Sequence, residues 1–322
     1  MPTERLTPFP DDATLADAGE FGLVEALTAR FPQGELVFIG PGDDAAVLRT
    51  PRGHVVVSTD ILVEQRHFRR AWSSAADIGH RAVAANLSDV NAMGGTATAL
   101  TVALAAPPDL PARWVLDLAD GMAAEAGLVG ASIIGGDLSA SDHIVISVTV
   151  LGVCEQAPLT RTGARAGDVL ALAGRQGWAA AGLAVLSRGF RSPRVVVDAL
   201  ARPEPPYGAG PLAARAGATA MIDVSDGLLA DAGHLADGSG VRIDIESERL
   251  EVTEAMRSVG AAIGADPMTF VLGGGDDHPL LATFPAGTDL PAPFVPIGTV
   301  RPGSGVTVDG EAHDGLPGHA HF

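Results

Sequence analysis

Apolar positions along the chain alternate between two spacings. Short runs rich in β-branched residues read as strands, and each leads into a polar corner with glycine or aspartate. Val37-Phe38-Ile39 leads into Gly40-Pro41-Gly42-Asp43-Asp44, His54-Val55-Val56-Val57 into Ser58-Thr59-Asp60, and Ala131-Ser132-Ile133-Ile134 into Gly135-Gly136-Asp137. In the second half, Ala220-Met221-Ile222 leads into Asp223-Val224-Ser225-Asp226-Gly227, and Phe270-Val271-Leu272 into residues 273–277. Helical spacings stand between these runs. Ser73 or Ser74 caps a helix carrying Ile78, Ala82, Val83, Leu87 and Val90, which ends near Gly94-Gly95. Pro111 opens a second through Trp114, Leu118 and Met122, and residues 177–186 and 228–235 read as short helices. Strands alternating with helices predict an α/β architecture.

A length of 322 residues suggests about two domains. The boundary is expected at residues 154–166, where strand 144–150 gives way to Thr160-Arg161-Thr162-Gly163-Ala164-Arg165 before a new apolar run, Val169-Leu170-Ala171-Leu172. Residues 1–155 then form the first domain and 156–322 the second. The proline-rich stretch 201–211 reads as a connector inside the second domain.

Composition removes several functions from consideration. The formal charge of −18 argues against nucleic acid and against anionic membrane surfaces as partners. All 21 basic residues are arginine, so neither the P-loop nor the protein-kinase lysine is present, and a Schiff base is excluded. Phosphate chemistry here must use metal ions, arginine and backbone amides. Cys154 is the only cysteine, which leaves no internal disulfide and no cysteine metal cluster. The first twenty residues contain Glu4, Asp11, Asp12 and Asp17 and no apolar core of signal-peptide length, and no apolar run approaches the ~20 residues of a membrane span. The expected location is the cytoplasm.

The aspartate corners carry the chemistry. A single Gly-Asp corner is ordinary turn chemistry. Five of them, each after an expected strand and spread over both halves, point instead to carboxylates that converge on hard cations. Magnesium binds through one or two carboxylates together with water and substrate phosphates. Such a cation also relieves the mutual repulsion of clustered carboxylates and serves phosphoryl transfer.

Taken in order, the motifs resemble the thiamine-monophosphate kinase family from Gly19-Glu20-Phe21 to Phe322. They run Gly42-Asp43-Asp44-Ala45-Ala46-Val47, Ser58-Thr59-Asp60-Ile61-Leu62-Val63, His67-Phe68, Ala84-Ala85-Asn86-Leu87-Ser88-Asp89, Met93-Gly94 and Gly135-Gly136-Asp137. The second half adds Leu159-Thr160-Arg161-Thr162-Gly163-Ala164, Ile222-Asp223-Val224-Ser225-Asp226-Gly227-Leu228 and Gly274-Gly275-Asp276-Asp277. No one motif is specific; the ordered set is.

The resemblance implies an α/β, two-domain fold shared with aminoimidazole ribonucleotide synthetase. In it the N-terminal sheets of two subunits pair in a homodimer, the N-terminal domain binds ATP and magnesium, and the C-terminal domain completes the active site. The implied reaction uses ATP as co-substrate and several Mg2+ ions to phosphorylate thiamine monophosphate to thiamine diphosphate. Asp44, Ser58, Thr59, Asp60, Asp89, Asp137, Asp223 and Asp226 match magnesium positions. Gly136, Asp137, Arg161 and Ser225 match ATP contacts, while His67, Asp276 and His319 match substrate-binding positions. No catalytic side chain beyond metal and phosphate ligands is implied.

Each assignment competes with a plainer one. Ser58 and Thr59 suit a strand end or an N-cap, Arg161 a surface ion pair, His67 a packed loop, and Asn86 with Asp89 a solvated helix side. Three departures touch substrate recognition: Asp276 stands where the family has Glu, His278-Pro279 where it has an aromatic-acidic pair, and His319 where it has Trp or Tyr. Gly174-Arg175-Gln176-Gly177 is read as a tight strand-to-helix turn with close packing and no catalytic role. The alternatives are another ATP-using enzyme of the same superfamily, such as aminoimidazole ribonucleotide synthetase, and a non-catalytic acidic metal-binding protein.

Overall fold

A computed structural model describes residues 9–10, 12–39, 47–48 and 54–313. Asp44 and His319 lie outside the described residues. The chain divides into two compact units, one made of Met1–Asn86 and Ala97–Gly152, the other of Leu87–Thr96 and Val153–Phe322. The second unit therefore takes in a ten-residue piece from the middle of the first half.

The first half contains α1 (Leu15–Ala18), α2 (Glu20–Thr28), β1 (Val37–Ile39), β2 (Val47–Leu48), β3 (His54–Val63), α3 (Ala75–Ala92), β4 (Thr96–Ala106), α4 (Ala112–Leu128), β5 (Ser132–Ala140) and β6 (Val145–Cys154). β1 and β2 form a small antiparallel pair, and the other four strands form a sheet in the order β3-β6-β4-β5. Strand β6 shows the pattern behind the sheet. Ile146, Val148 and Val150 are buried, while the residues between them are partly exposed, as a strand with one covered face requires. Ser74 caps α3: its hydroxyl accepts the Asp77 N–H at 3.2 Å, and the Asp77 carboxylate accepts the Ser74 N–H at 3.1 Å. Pro111 precedes the first turn of α4, as its fixed φ favours.

The second half contains β7 (Val169–Ala173), α5 (Trp178–Ser187), α6 (Arg194–Ala201), α7 (Ala209–Arg215), β8 (Ala220–Asp223), α8 (Leu228–Ser239), β9 (Arg242–Ile245), α9 (Glu254–Ile263), α10 (Met268–Gly273), β10 (Leu280–Phe284), β11 (Val295–Arg301), β12 (Gly305–Val308) and β13 (Glu311–Ala312). Its seven strands run in the order β13-β12-β9-β11-β7-β10-β8, with β12 parallel to β9 and the other pairs antiparallel. A core cluster joins Met221, Leu280 and small alanines of β7 and α7 to Phe284 and Phe294. Those two rings meet edge to face at 5.3 Å and 72°. Among the described residues, no helix is long and apolar enough to cross a membrane.

Three local expectations change. Residues 270–272 belong to helix α10 rather than to a strand; a local turn leads into it, in which the Asp266 carboxylate accepts the Met268 N–H at 2.9 Å and Pro267 precedes the first helical residue. The strand of this region is β10, which begins only at Leu280. Ser58-Thr59-Asp60 and Gly135-Gly136-Asp137 lie inside β3 and β5, not at corners after them. Pairing with a neighbour carries the strand onward, as in the register of Val102 with Gly136 and Ala103 with Asp137.

Candidate functional site

Alternation along β3 sorts its three polar residues. Leu62 is buried and Ile61 is 52% exposed, so Ser58 and Asp60 share the covered side with Leu62, and Thr59 points to the open side. There its Oγ1 lies 2.9 Å from Oγ1 of Thr149. The Asp60 N–H donates to Oδ1 of the buried Asn86 at 3.3 Å, while Nδ2 of Asn86 donates to the Ala82 carbonyl at 2.9 Å. One asparagine thus ties the middle of β3 to helix α3. On β5, Asp137 is exposed, and a Cβ on the adjacent Gly136 would lie 1.9 Å from the Val102 carbonyl oxygen. His67 sits in the turn after β3. Its Nδ1 accepts the Val63 N–H at 2.9 Å, which leaves the proton of the neutral ring on Nε2.

The second unit holds a denser acidic group around the turn between β8 and α8. Asp223 ends β8, and its Oδ2 is 3.1 Å from Nδ1 of the buried His278. Asp231, on the first turns of α8, is also buried. Its Oδ2 accepts the N–H groups of Asp226 at 3.0 Å and Gly227 at 3.1 Å, donors that a helix start leaves without helical partners. Burial, reinforced by the charges of Asp223 and Asp226, pushes the Asp231 carboxyl up to about 7 against the pull of those two N–H groups. Asp226, Asp231 and His234 each offer a ligand atom, and these atoms lie within 4.8 Å of one another.

Residues 273–278 clasp the same turn. The Asp276 N–H donates to the Ser225 carbonyl at 3.0 Å. A Cβ on Gly275 would lie 2.0 Å from that carbonyl oxygen, so only glycine permits this approach. Asp276 and His278 take left-handed backbone at φ 68° and 54°, which is uncommon for residues with side chains. Asp277 turns inward, and its carboxylate accepts the Ala179 N–H at 3.0 and 3.2 Å at the start of α5. Burial pushes Asp277 up to about 7, opposed by these amides and by Arg175. The loop before α5 is the expected tight turn: Gly177 has φ 85°, and a Cβ there would lie 2.9 Å from Phe270 and Val271 backbone atoms.

Two further residues lie on other segments of this unit. Asp89 is half-buried on α3, in the part of the helix that belongs to the second unit. Arg161 is exposed and makes no ion pair among the described residues. Its carbonyl accepts the Ser239 hydroxyl at 3.2 Å, at the C-terminal end of α8. Asp226 precedes the N-terminal end of that helix, and twelve residues at 1.5 Å put ~18 Å between the two backbones. The structure therefore gathers Asp223, Ser225, Asp226 and Asp276 around one turn and leaves Arg161 at the far end of α8.

Two carboxylates and an imidazole whose ligand atoms lie within 4.8 Å of one another, with Asp223 and its charge nearby, can hold a divalent cation. Sequence reasoning missed Asp231, the Asp223–His278 pair and the inward Asp277. Asp231 left one signal, an acidic residue in the helical repeat Leu228, Asp231, Leu235, whose other members are buried and apolar.

Comparison with known proteins agrees with the motif order. Residues 42–154 match the family described as AIR synthase related protein, N-terminal domain, and residues 165–271 match its C-terminal domain. The chain is 44% identical over 315 residues to the thiamine-monophosphate kinase of Mycobacterium tuberculosis, covering 97% of this chain and 94% of that one. The crystal structure of thiamine-monophosphate kinase from Stenotrophomonas maltophilia superposes with a TM-score of 0.81 at 34% identity, covering 92% of this chain and 98% of that one. The structure of AaThiL complexed with AMPPCP and TMP superposes at 0.79 and 32% identity, covering 95% and 97%.

Proposed function

The chain belongs to the thiamine-monophosphate kinase family and phosphorylates thiamine monophosphate at the expense of ATP, and we propose that magnesium held by its aspartates assists this transfer. The observation that carries the metal reading is the acidic turn, where Asp223 and Asp226 stand beside the buried Asp231 and ligand atoms of Asp226, Asp231 and His234 lie within 4.8 Å of one another. Bound there, magnesium would supply charge neutralisation for two approaching phosphates. We assign Asp223 and Asp226 in the second unit as ligands, with Asp89 on α3, and Ser58, Asp60 and Asp137 in the first. Asp44 joins them by its motif. Thr59 is assigned with them by its motif, its hydroxyl lying on the opposite face of β3, 2.9 Å from that of Thr149.

The acceptor is a phosphate oxygen, ionised at neutral pH because a monoester's second pKa is about 6. It needs no general base, which suits a site of metal ligands. Gly136 and Asp137, with Ser225, are assigned to ATP. Arg161 serves a different part of an extended nucleotide, since α8 separates it from Asp226. His67 is assigned to the substrate, with Asp276 and His319. A homodimer is supported by Val55, Val57 and Ile61, which lie exposed on β3 at the edge of the four-stranded sheet. The acidic surface and single buried cysteine support a cytoplasmic location and a partner set without nucleic acid or membrane.

The test is direct. Purified protein incubated with ATP, Mg2+ and thiamine monophosphate should yield ADP and thiamine diphosphate in equal amounts, and chelation of the metal should stop the reaction. Turnover that persists after complete chelation would overturn the magnesium role while leaving the substrate assignment intact.

A further inference from the structure

We propose that Asp231 and His278 are positioning residues that hold the 223–227 turn in the shape its carboxylates need to take a divalent cation. The proposal rests on the assignment of Asp223 and Asp226 as metal ligands. Each of the two ligands is held by a different buried side chain. Oδ2 of Asp231 takes both the Asp226 and the Gly227 N–H, at 3.0 and 3.1 Å, closing the turn onto the first turns of α8. Without that oxygen, two amides at a helix start would be left without this acceptor, and the backbone carrying Asp226 could rotate to find others.

His278 works on the carboxylate itself. Its Nδ1 stands 3.1 Å from Oδ2 of Asp223, fixing the plane of that group and leaving Oδ1 for a ligand. The backbone accepts a left-handed conformation at His278, φ 54°, to put the ring there. Groups that orient a metal ligand in this way typically change metal affinity 10- to 100-fold when removed. Neither residue needs to touch the cation or the nucleotide to have this effect.

The experiment measures Mg2+ affinity by calorimetry on the full chain with excess non-hydrolysable ATP analogue, and the Mg2+ dependence of kcat and KM in parallel. Asp231→Ala and His278→Ala should each weaken Mg2+ binding by about tenfold or more. Asp231→Asn should stay within about threefold of the native protein, because its amide oxygen can accept the same two N–H groups. Native affinity in both alanine variants, beside a deficient Asp226→Asn, would overturn the positioning role alone. Native affinity in Asp226→Asn overturns the ligand assignment, and the positioning role with it. If Asp231→Ala does not fold by circular dichroism, Asp231→Asn decides: a loss above tenfold means that the Asp231 charge acts on the cation directly and rejects positioning.

Discussion

On β5 the aspartate is an exposed residue on a strand paired through its backbone, whereas around the 223–227 turn two buried aspartates are themselves the acceptors that complete the backbone. Asp137 is exposed, and on β3 the Asp60 backbone donates its N–H to Asn86 and accepts the Ser147 hydroxyl. Asp231 and Asp277 are buried, and each accepts backbone N–H groups at a helix start. A carboxylate on an exposed strand position can be shaped by function with little consequence for folding. A buried one must be satisfied by the fold first, because an unpaired buried charge is too costly to keep.

The contrast can be broken most directly at Asp60. Asp60→Asn should lower kcat by about 100-fold or more, the scale of several kcal/mol of charge stabilisation from a misplaced metal. Its circular dichroism and melting temperature should stay close to native. A variant that loses activity only because it unfolds would show that strand carboxylates are structural after all.

Gly275→Ala attacks the opposite case, where backbone packing rather than charge is at stake. A methyl group 2.0 Å from the Ser225 carbonyl oxygen must push residues 273–278 away from the turn. A loss of about 1–3 kcal/mol is expected, read as a shift of the denaturant midpoint without a change in slope. Phosphoryl transfer should fall with it, since Ser225 and Asp226 move. An unshifted midpoint would mean that the clasp on the turn is loose.

A smaller effect separates charge from packing at Asp277. Its folded-state value, about 7, lies above the usual carboxylate value of 3.8, so the folded chain holds a proton that the unfolded chain releases. This contribution to stability is fully present below about pH 4 and is lost as pH rises toward 7. Between those limits one such group contributes a slope of up to about 1.4 kcal/mol per pH unit. Asp277→Asn should remove that share, giving a flatter stability curve from pH 5 to 7 by chemical denaturation. An unchanged slope would place the titration elsewhere.

Cys154→Ser should do least. The thiol is buried and donates weakly to the Met93 carbonyl at 3.5 Å, a bond that a hydroxyl can replace. Activity within about twofold and stability within about 1 kcal/mol of native are expected. A large loss of turnover would bring the thiol into the chemistry and weaken the view that carboxylates carry it.

The sequence by itself determined the elements with strong local signals, namely the capped helix after Ser74, the helix opened by Pro111, strand β8 with its acidic turn, and the glycine turn before α5. Those signals act within a few residues, through capping, fixed φ and spacing, so they can be read without knowing neighbours. The lysine-free composition and ordered aspartate motifs likewise determined the class of chemistry. Tertiary structure decided what local signals leave open. It carried β3 through Ser58-Thr59-Asp60 and β5 through Gly136-Asp137, because neighbouring strands supply hydrogen bonds that outweigh the turn tendency of glycine and aspartate. It set Thr59 on the opposite face from Asp60, placed Arg161 at the far end of α8, and brought His278 to Asp223 across 55 residues of chain. Such pairings depend on which strands lie side by side. Spacing along the sequence does not encode that, because the contacts are made between segments far apart in the chain.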